Sequence, residues 1–159
     1  YARGPMARPG NYIVRLRVGN EVVGEQGLVL QMDPRLIAQG TTITDVDVQV
    51  AFSLMLVDLI SEARKLKKQA SDEQKDLEGR RIQLKPDDAN RLLLVTETLK
   101  QLETADIIYP QPMLIDQISY LYNMVNKADQ APGVEAADRY TALAKELAEL
   151  KDQYSVRGN

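Results

Sequence analysis

The sequence contains no cysteine, no histidine and no tryptophan, and it has a single phenylalanine. Without cysteine the chain forms no disulfide and no thiolate metal site. Without histidine it lacks the commonest metal ligand and the commonest general base at neutral pH, and a Ser–His or Cys–His nucleophile is impossible within it. We therefore expect no metal, no cofactor and a core of aliphatic side chains.

Long apolar runs and a strong excess of charge are also missing. No stretch of about 18 apolar residues occurs, so we expect no membrane span. The net charge is −3, and the basic residues at 64–68 are interleaved with acids, so we expect no nucleic-acid partner. No signal peptide is visible, and the chain begins with Tyr1 rather than Met. We expect a processed or excised fragment.

The 159 residues, 44% of them hydrophobic, suit one domain or one domain with a small appendage. The first 35 residues predict a β-hairpin. Tyr12 to Val18 alternates apolar and polar side chains, and Glu21 to Met32 returns along it. Gly19-Asn20 suits a tight turn, and glycines midway along the second strand predict a bulge or kink.

An isolated hairpin is marginal in water, so its apolar face needs a cover. We expect that face to pack on the helices, to pair with a second copy of the chain, or to belong to a sheet whose other strands lie upstream. The residues of this candidate association face are Val14, Leu16, Leu28 and Leu30.

Residues 36–159 predict four helices, because apolar residues recur there at spacings of three and four. We place the helices at about 45–78, 86–106, 112–129 and 134–154. Thr44 or Asp45 is the expected cap of the first, and the short later connections predict antiparallel neighbours. The predicted fold is mainly α, an up-and-down four-helix bundle with an N-terminal antiparallel β-hairpin.

The apolar stripes of these helices are the candidate core. The first helix has the stripe Val48, Phe52, Met55, Leu56, Leu59, Ala63 and Leu66. The last helix has the stripe Ala137, Tyr140, Ala144, Leu147 and Leu150.

Two local patterns are more distinctive than the rest. One runs along the third helix and holds Asp116-Gln117-Ile118, Tyr120-Leu121-Tyr122, Met124-Val125, Ala128-Asp129-Gln130 and Pro132. The other is Pro9-Gly10-x-Tyr12-x-Val14-x-Leu16-x-Val18, followed by Asp33-Pro34-Arg35. In this order they resemble the C-terminal region of bacterial sortilin-like proteins with BNR (Asp-box) repeats, which are large exported β-propeller proteins.

This resemblance implies that residues 1–35 are the last hairpin of an immunoglobulin-like module, and that the chain is an exported, non-catalytic C-terminal module. Its partner would be the upstream part of the parent polypeptide. Proteins of this kind are often labelled glycosyl hydrolases, but no Asp-box occurs here, so any catalytic site would lie outside the chain. The chain departs from the pattern at Gly133, where a Ser or Thr cap is expected.

Acidic residues provide no convincing catalytic or metal site. A glycosidase needs two carboxylates roughly 5–10 Å apart, whereas Asp116 and Asp129 lie about 20 Å apart along one helix. A calcium loop needs more oxygens and a Gly at its bend. First-turn helix acids better explain the remaining candidates, which are Asp45, Asp47, Asp87 and Asp88.

Tyrosines support a second hypothesis, a carbohydrate- or peptide-binding module presented by the bundle. It predicts an exposed cleft, although tyrosines at helical spacing more often line a core or its rim. The candidate residues are Tyr109, Tyr120, Tyr122 and Tyr140.

Overall fold

A helical bundle follows an N-terminal β-hairpin, which confirms the predicted fold class. The computed structural model describes residues 4–80 and 85–156. In chain order the elements are β1 (Gly10–Val18), β2 (Glu21–Leu30), α1 (Pro34–Ala38), α2 (Ile43–Gly79), α3 (Pro86–Leu102), α4 (Leu114–Val125) and α5 (Val134–Val156).

The hairpin has the predicted two-residue turn and the predicted bulge. Gly19 adopts a φ of +60°, which explains why glycine occupies the turn. In the antiparallel register Tyr12 lies opposite Leu28, and the pairing shifts between Leu16 and Arg17. The shift leaves one extra residue on β2 and gives the strand a local kink.

Helix α2 begins at Ile43, two residues before the predicted start at about 45, and its cap is Thr42 rather than Thr44 or Asp45. The Thr42 hydroxyl accepts a hydrogen bond from the Asp45 backbone N–H, and the Asp45 carboxylate accepts one from the Thr42 N–H at 2.8 Å. This reciprocal pair is a capping box, so Asp45 occupies the third helical position and Thr42 is the cap.

The buried face of α2 repeats every seven residues. Val48 and Met55, which the predicted stripe includes, are exposed in the structure. A strict seven-residue repeat drifts around a straight helix of 3.6 residues per turn and favours a left-handed supercoil. The predicted stripe assumed a straight helix, so it included residues that the structure exposes. The repeat consists of Gln49, Leu56, Ala63, Ala70 and Leu77.

Helices α3 and α4 follow one another along α2, each against a different half of it. Because α3 has 17 residues and α2 has 37, α3 covers only part of its partner and α4 continues in the same direction. The expected antiparallel packing of α3 against α4 is therefore replaced by antiparallel packing of both against α2. Successive contacts show this direction: Glu73–Arg91, Lys67–Glu103 and Gln49–Val125.

Helix α5 runs alongside α2 in the same direction and closes both halves of the core. The Tyr140 ring packs on Phe52 with 5.7 Å between centroids, and farther along α5 Lys151 pairs with Glu62. The buried residues of α5 are Leu143, Leu147 and Leu150, whereas Ala137 of the predicted stripe is exposed. None of the described helices is long and apolar enough to cross a bilayer.

Candidate functional site

The apolar face of the hairpin is the most prominent unpartnered surface of the chain. Alternation along the strands places Val14 and Leu16 on the same face as Leu28. These side chains are 53%, 63% and 44% exposed, respectively, while Leu30 is half-buried. Within the described residues no helix packs along either strand, and only the end of β2, at Leu30, approaches α1 and α2. Cover of Val14, Leu16 and Leu28 by the bundle, one of the three predicted arrangements, is therefore wrong.

The opposite face of the hairpin has a different character. Arg15 lies directly across from Glu25, and the guanidinium Nε is 2.8 Å from the carboxylate Oε2. Exposed ion pairs of this kind contribute only about 0–1 kcal/mol to stability. This opposite face also exposes Ile13 and Val29, at 61% and 62%, so it mixes an ion pair with apolar side chains, whereas Val14, Leu16 and Leu28 make the first face mainly apolar.

The start of β1 is anchored by a tyrosine. The Tyr12 hydroxyl donates a hydrogen bond to the Arg8 carbonyl oxygen at 2.6 Å. The Arg8 side chain in turn lies 3.4 Å from the Asp47 carboxylate of α2, in an exposed ion pair. These contacts fix the backbone that enters the hairpin, but they leave both strands clear of the helices.

An open apolar groove continues from the base of the hairpin onto the start of the bundle. Its volume is about 780 Å³. Leu30 belongs both to the groove and to the apolar face, so the two form one continuous surface. The main apolar lining residues are Pro9, Leu30, Met32, Ile37 and Ile43.

Polar contacts hold the end of α4 beside the start of α2. The Gln49 side-chain amide donates to the carbonyls of Val125 and Ala128 at 2.6 and 2.5 Å, and Ser53 donates to the Asn126 side chain at 3.2 Å. Gln49 and Ser53 are buried. Sequence reasoning missed both, because a search for apolar periodicity excludes polar residues from the core. The carbonyls at a helix end need such donors.

A second polar network ties the end of α5 to the far end of α2. The guanidinium of Arg91, on α3, forms a bidentate ion pair with the Glu73 carboxylate, at 2.6 and 2.8 Å. It also donates a hydrogen bond to the Tyr154 backbone carbonyl. The Tyr154 hydroxyl donates to the same carboxylate, and the Arg91 guanidinium carbon lies 4.5 Å from the centre of the Tyr154 ring. Glu73, Arg91 and Tyr154 thus meet one another's hydrogen-bonding groups, which indicates a structural role. We call these three residues the clamp.

Ionisation within this clamp follows from its contacts. Burial, together with the hydrogen bond to Glu73, raises the pKa of Tyr154 to about 12. The hydrogen bond from Arg91 lowers the pKa of the Glu73 carboxyl despite partial burial. Both shifts favour the charge states present at neutral pH.

The four candidate tyrosines do not form one cleft. Tyr122 and Tyr140 pack against the core, whereas Tyr109 is 96% exposed on the α3–α4 connection, with a φ of +56°. Tyr120 is exposed on the opposite side of α4 from Tyr122 and lines a groove of about 320 Å³ beside Pro132. A binding role for these tyrosines stays a prediction.

The candidate acids are dispersed through the structure. Asp45 and Asp88 each accept a hydrogen bond from a backbone N–H at a helix start. Asp116 is exposed in the first turn of α4, and Asp129 lies beyond the end of that helix. Across the described ranges no group of three or more His, Cys, Asp or Glu side chains could hold a metal ion.

Comparison with known proteins adds no relative. No family model matches the chain, and neither the curated proteins nor the solved structures include a match. Functional conclusions therefore depend on the hairpin and the bundle themselves.

Proposed function

We propose that this chain is a non-catalytic structural and association module, in which further β structure covers the apolar face of the hairpin. The observation that carries the proposal is the exposure of Val14, Leu16 and Leu28 on one face of a two-stranded sheet. A two-stranded hairpin needs a further strand or a packed face for stability in water. The exposed apolar side chains supply that face.

The Tyr12 hydrogen bond supports a sandwich as the covering structure. In immunoglobulin-like sandwiches a tyrosine at a strand start donates back to a backbone carbonyl a few residues upstream, at the corner between the two sheets. Tyr12 donates to Arg8 with this spacing. On this proposal the hairpin supplies two strands of such a sandwich, and its apolar face lies toward the second sheet.

The proposal extends to the parent protein through the resemblance in the third helix and the hairpin. The chain would be the C-terminal module of a larger exported bacterial β-propeller protein, in the periplasm, on the outer surface or secreted. Its main partner would be the upstream part of the same polypeptide, and a homodimer through the hairpin is the other arrangement. A glycosyl hydrolase label on the parent would transfer no activity to these residues.

Substitution on the two faces of the hairpin tests the association function. In the longer protein that includes the preceding domain, Val14→Asn with Leu16→Asn should lower stability by about 2–4 kcal/mol per buried site. The control Ile13→Asn, on the opposite face of the same strand, should cost far less. In the chain alone neither variant should change bundle stability, because the hairpin does not pack on the helices.

Thermal unfolding of both lengths gives the readout. Equal effects of the face variant and the control in the longer protein would contradict the proposal. Sedimentation of the chain alone identifies the homodimer arrangement, since the face variant should then convert a dimer to a monomer.

A further inference from the structure

We propose that the free edge of β1 accepts an extended strand carrying acidic side chains, and that the free edge of β2 is the natural end of the sheet. This inference rests on the proposed function and deepens it, because it names the edge and the chemistry of the partner strand. Both edges present unpaired backbone groups in the two-stranded sheet. The two strands differ in how those groups are protected.

Strand β2 has the features by which proteins protect sheet edges. It contains the extra residue of the bulge next to Gly24, and it also holds Gly27. Bulges and glycines both hinder regular pairing with another strand, so β2 is suited to remain a free edge.

Strand β1 carries two charges of its own, Arg15 and Arg17, but it lacks the bulge residue and the internal glycines. After Gly10 it contains neither glycine nor proline, and the extra residue of the bulge is on the other strand. Its side chains alternate without interruption, and β-branched Ile13, Val14 and Val18 favour extended backbone. Its open edge can therefore continue a regular ladder of hydrogen bonds with an added strand.

The charges on β1 define the partner. Arg15 already pairs with Glu25, whereas Arg17 lies opposite Val22 and has no ion-pair partner in the described part of the chain. A strand added beside β1 would lie about 4.8 Å away, which places its side chains against Arg17. An acidic residue there is favourable, whereas the β1 strand of a second copy, paired about Leu16, would place Arg15 against Arg17.

Two short capped peptides test this on the chain as it exists, one alternating Val with Glu and one alternating Val with Lys. The Glu peptide should bind, with affinity higher by about two- to fivefold, the worth of one cross-strand charge pair. Hydrogen exchange should slow at the β1 amides that do not pair with β2. The substitution Arg17→Glu should reverse the preference, and the control Arg64→Glu, on an exposed position of α2, should leave it unchanged.

Other outcomes overturn the inference. These are equal binding of both peptides, no binding of the Glu peptide, protection of β2 amides instead, or a chain that dimerises through β1 without peptide. The association function fails separately, since it is judged by Val14→Asn with Leu16→Asn in the longer protein. If that variant is destabilising while the Glu peptide does not bind, the function stands and the edge assignment falls.

Discussion

Individual polar side chains hold the ends of α4 and α5 against the rest of the bundle. Gln49 and Ser53 hold the end of α4, while Glu73, Arg91 and Tyr154 hold the end of α5. Helix ends leave backbone groups unpaired, and buried ones are costly unless a side chain meets them. Periodicity identified Leu56 and Leu147 correctly as core residues, but it gives no signal for a buried glutamine. Only the three-dimensional approach of α4 to α2 shows why a glutamine is there.

The clamp at Tyr154 gives a prediction at this scale. Tyr154→Phe removes the hydroxyl that donates to Glu73, and it should destabilise the chain by about 1.5–3 kcal/mol, the usual worth of a hydrogen bond to a charged group. Urea unfolding at neutral pH measures the loss. Tyr120→Phe is the control, because Tyr120 is exposed on α4.

The same clamp should produce a characteristic pH dependence. Because the folded pKa of Tyr154 is raised to about 12 from 10.0, its contribution is complete below pH 10 and is lost as the pH rises through 12. Glu73 has a lowered folded pKa, so its contribution is present above its ordinary pKa and is lost as the pH falls. Stability that decreases equally at high pH in the wild type and in Tyr154→Phe would contradict this assignment.

At the scale of elements, the arrangement follows from the unequal lengths of the helices. Helix α2 is more than twice as long as α3, so it needs α3 and α4 in succession to cover its buried face. Composition and periodicity predicted the four longer helices and the break at Pro132-Gly133, but not α1, which lies where a linker was predicted. They did not predict the order of α3 and α4 along α2, because a short connection is compatible with either a reversal or a continuation. A hydrogen bond from the Met113 N–H to the Thr104 hydroxyl joins the two ends of the α3–α4 connection.

Small residues in the repeat of α2 indicate close helix packing. Ala63 and Ala70 are fully buried, and an added side chain there has no space. We expect Ala63→Leu to lower stability by about 1–3 kcal/mol through overpacking. Ala51→Leu introduces the same side chain at an exposed position of α2 and should be nearly neutral. Thermal unfolding measures the stability of both variants against the wild type. No loss of stability in Ala63→Leu would show that the helices are not closely packed there.

At the scale of the whole molecule, the hairpin and the bundle are structurally separate. Within the described residues no helix packs along the strands, apart from the approach of Leu30 to the start of the bundle, and the buried side chains all belong to the bundle. The sequence predicted both parts, because each has its own periodicity of two or of three to four residues. It could not decide what covers the hairpin, because an alternating pattern predicts an apolar face without identifying what packs on it.

Replacement of the hairpin tests this separation. Exchange of Gly10–Leu30 for a short Gly-Ser linker should change the free energy of unfolding of the bundle by less than about 1 kcal/mol, as for surface changes generally. Circular dichroism at the helical minimum, followed through urea unfolding, measures it. A large loss of stability would mean that the hairpin supports the bundle.

The length of α2 has a mechanical consequence. Its 37 residues span about 55 Å at the rise of an α-helix, and the hairpin joins it near one end. Once the hairpin is held in a sheet, the bundle becomes a lever arm pivoting at residues 31–33. A rotation of roughly 10° at that pivot would sweep the far end through about 10 Å, given the helical rise. The attachment angle of the two strands would then set how far, and in which direction, the far end of the bundle moves.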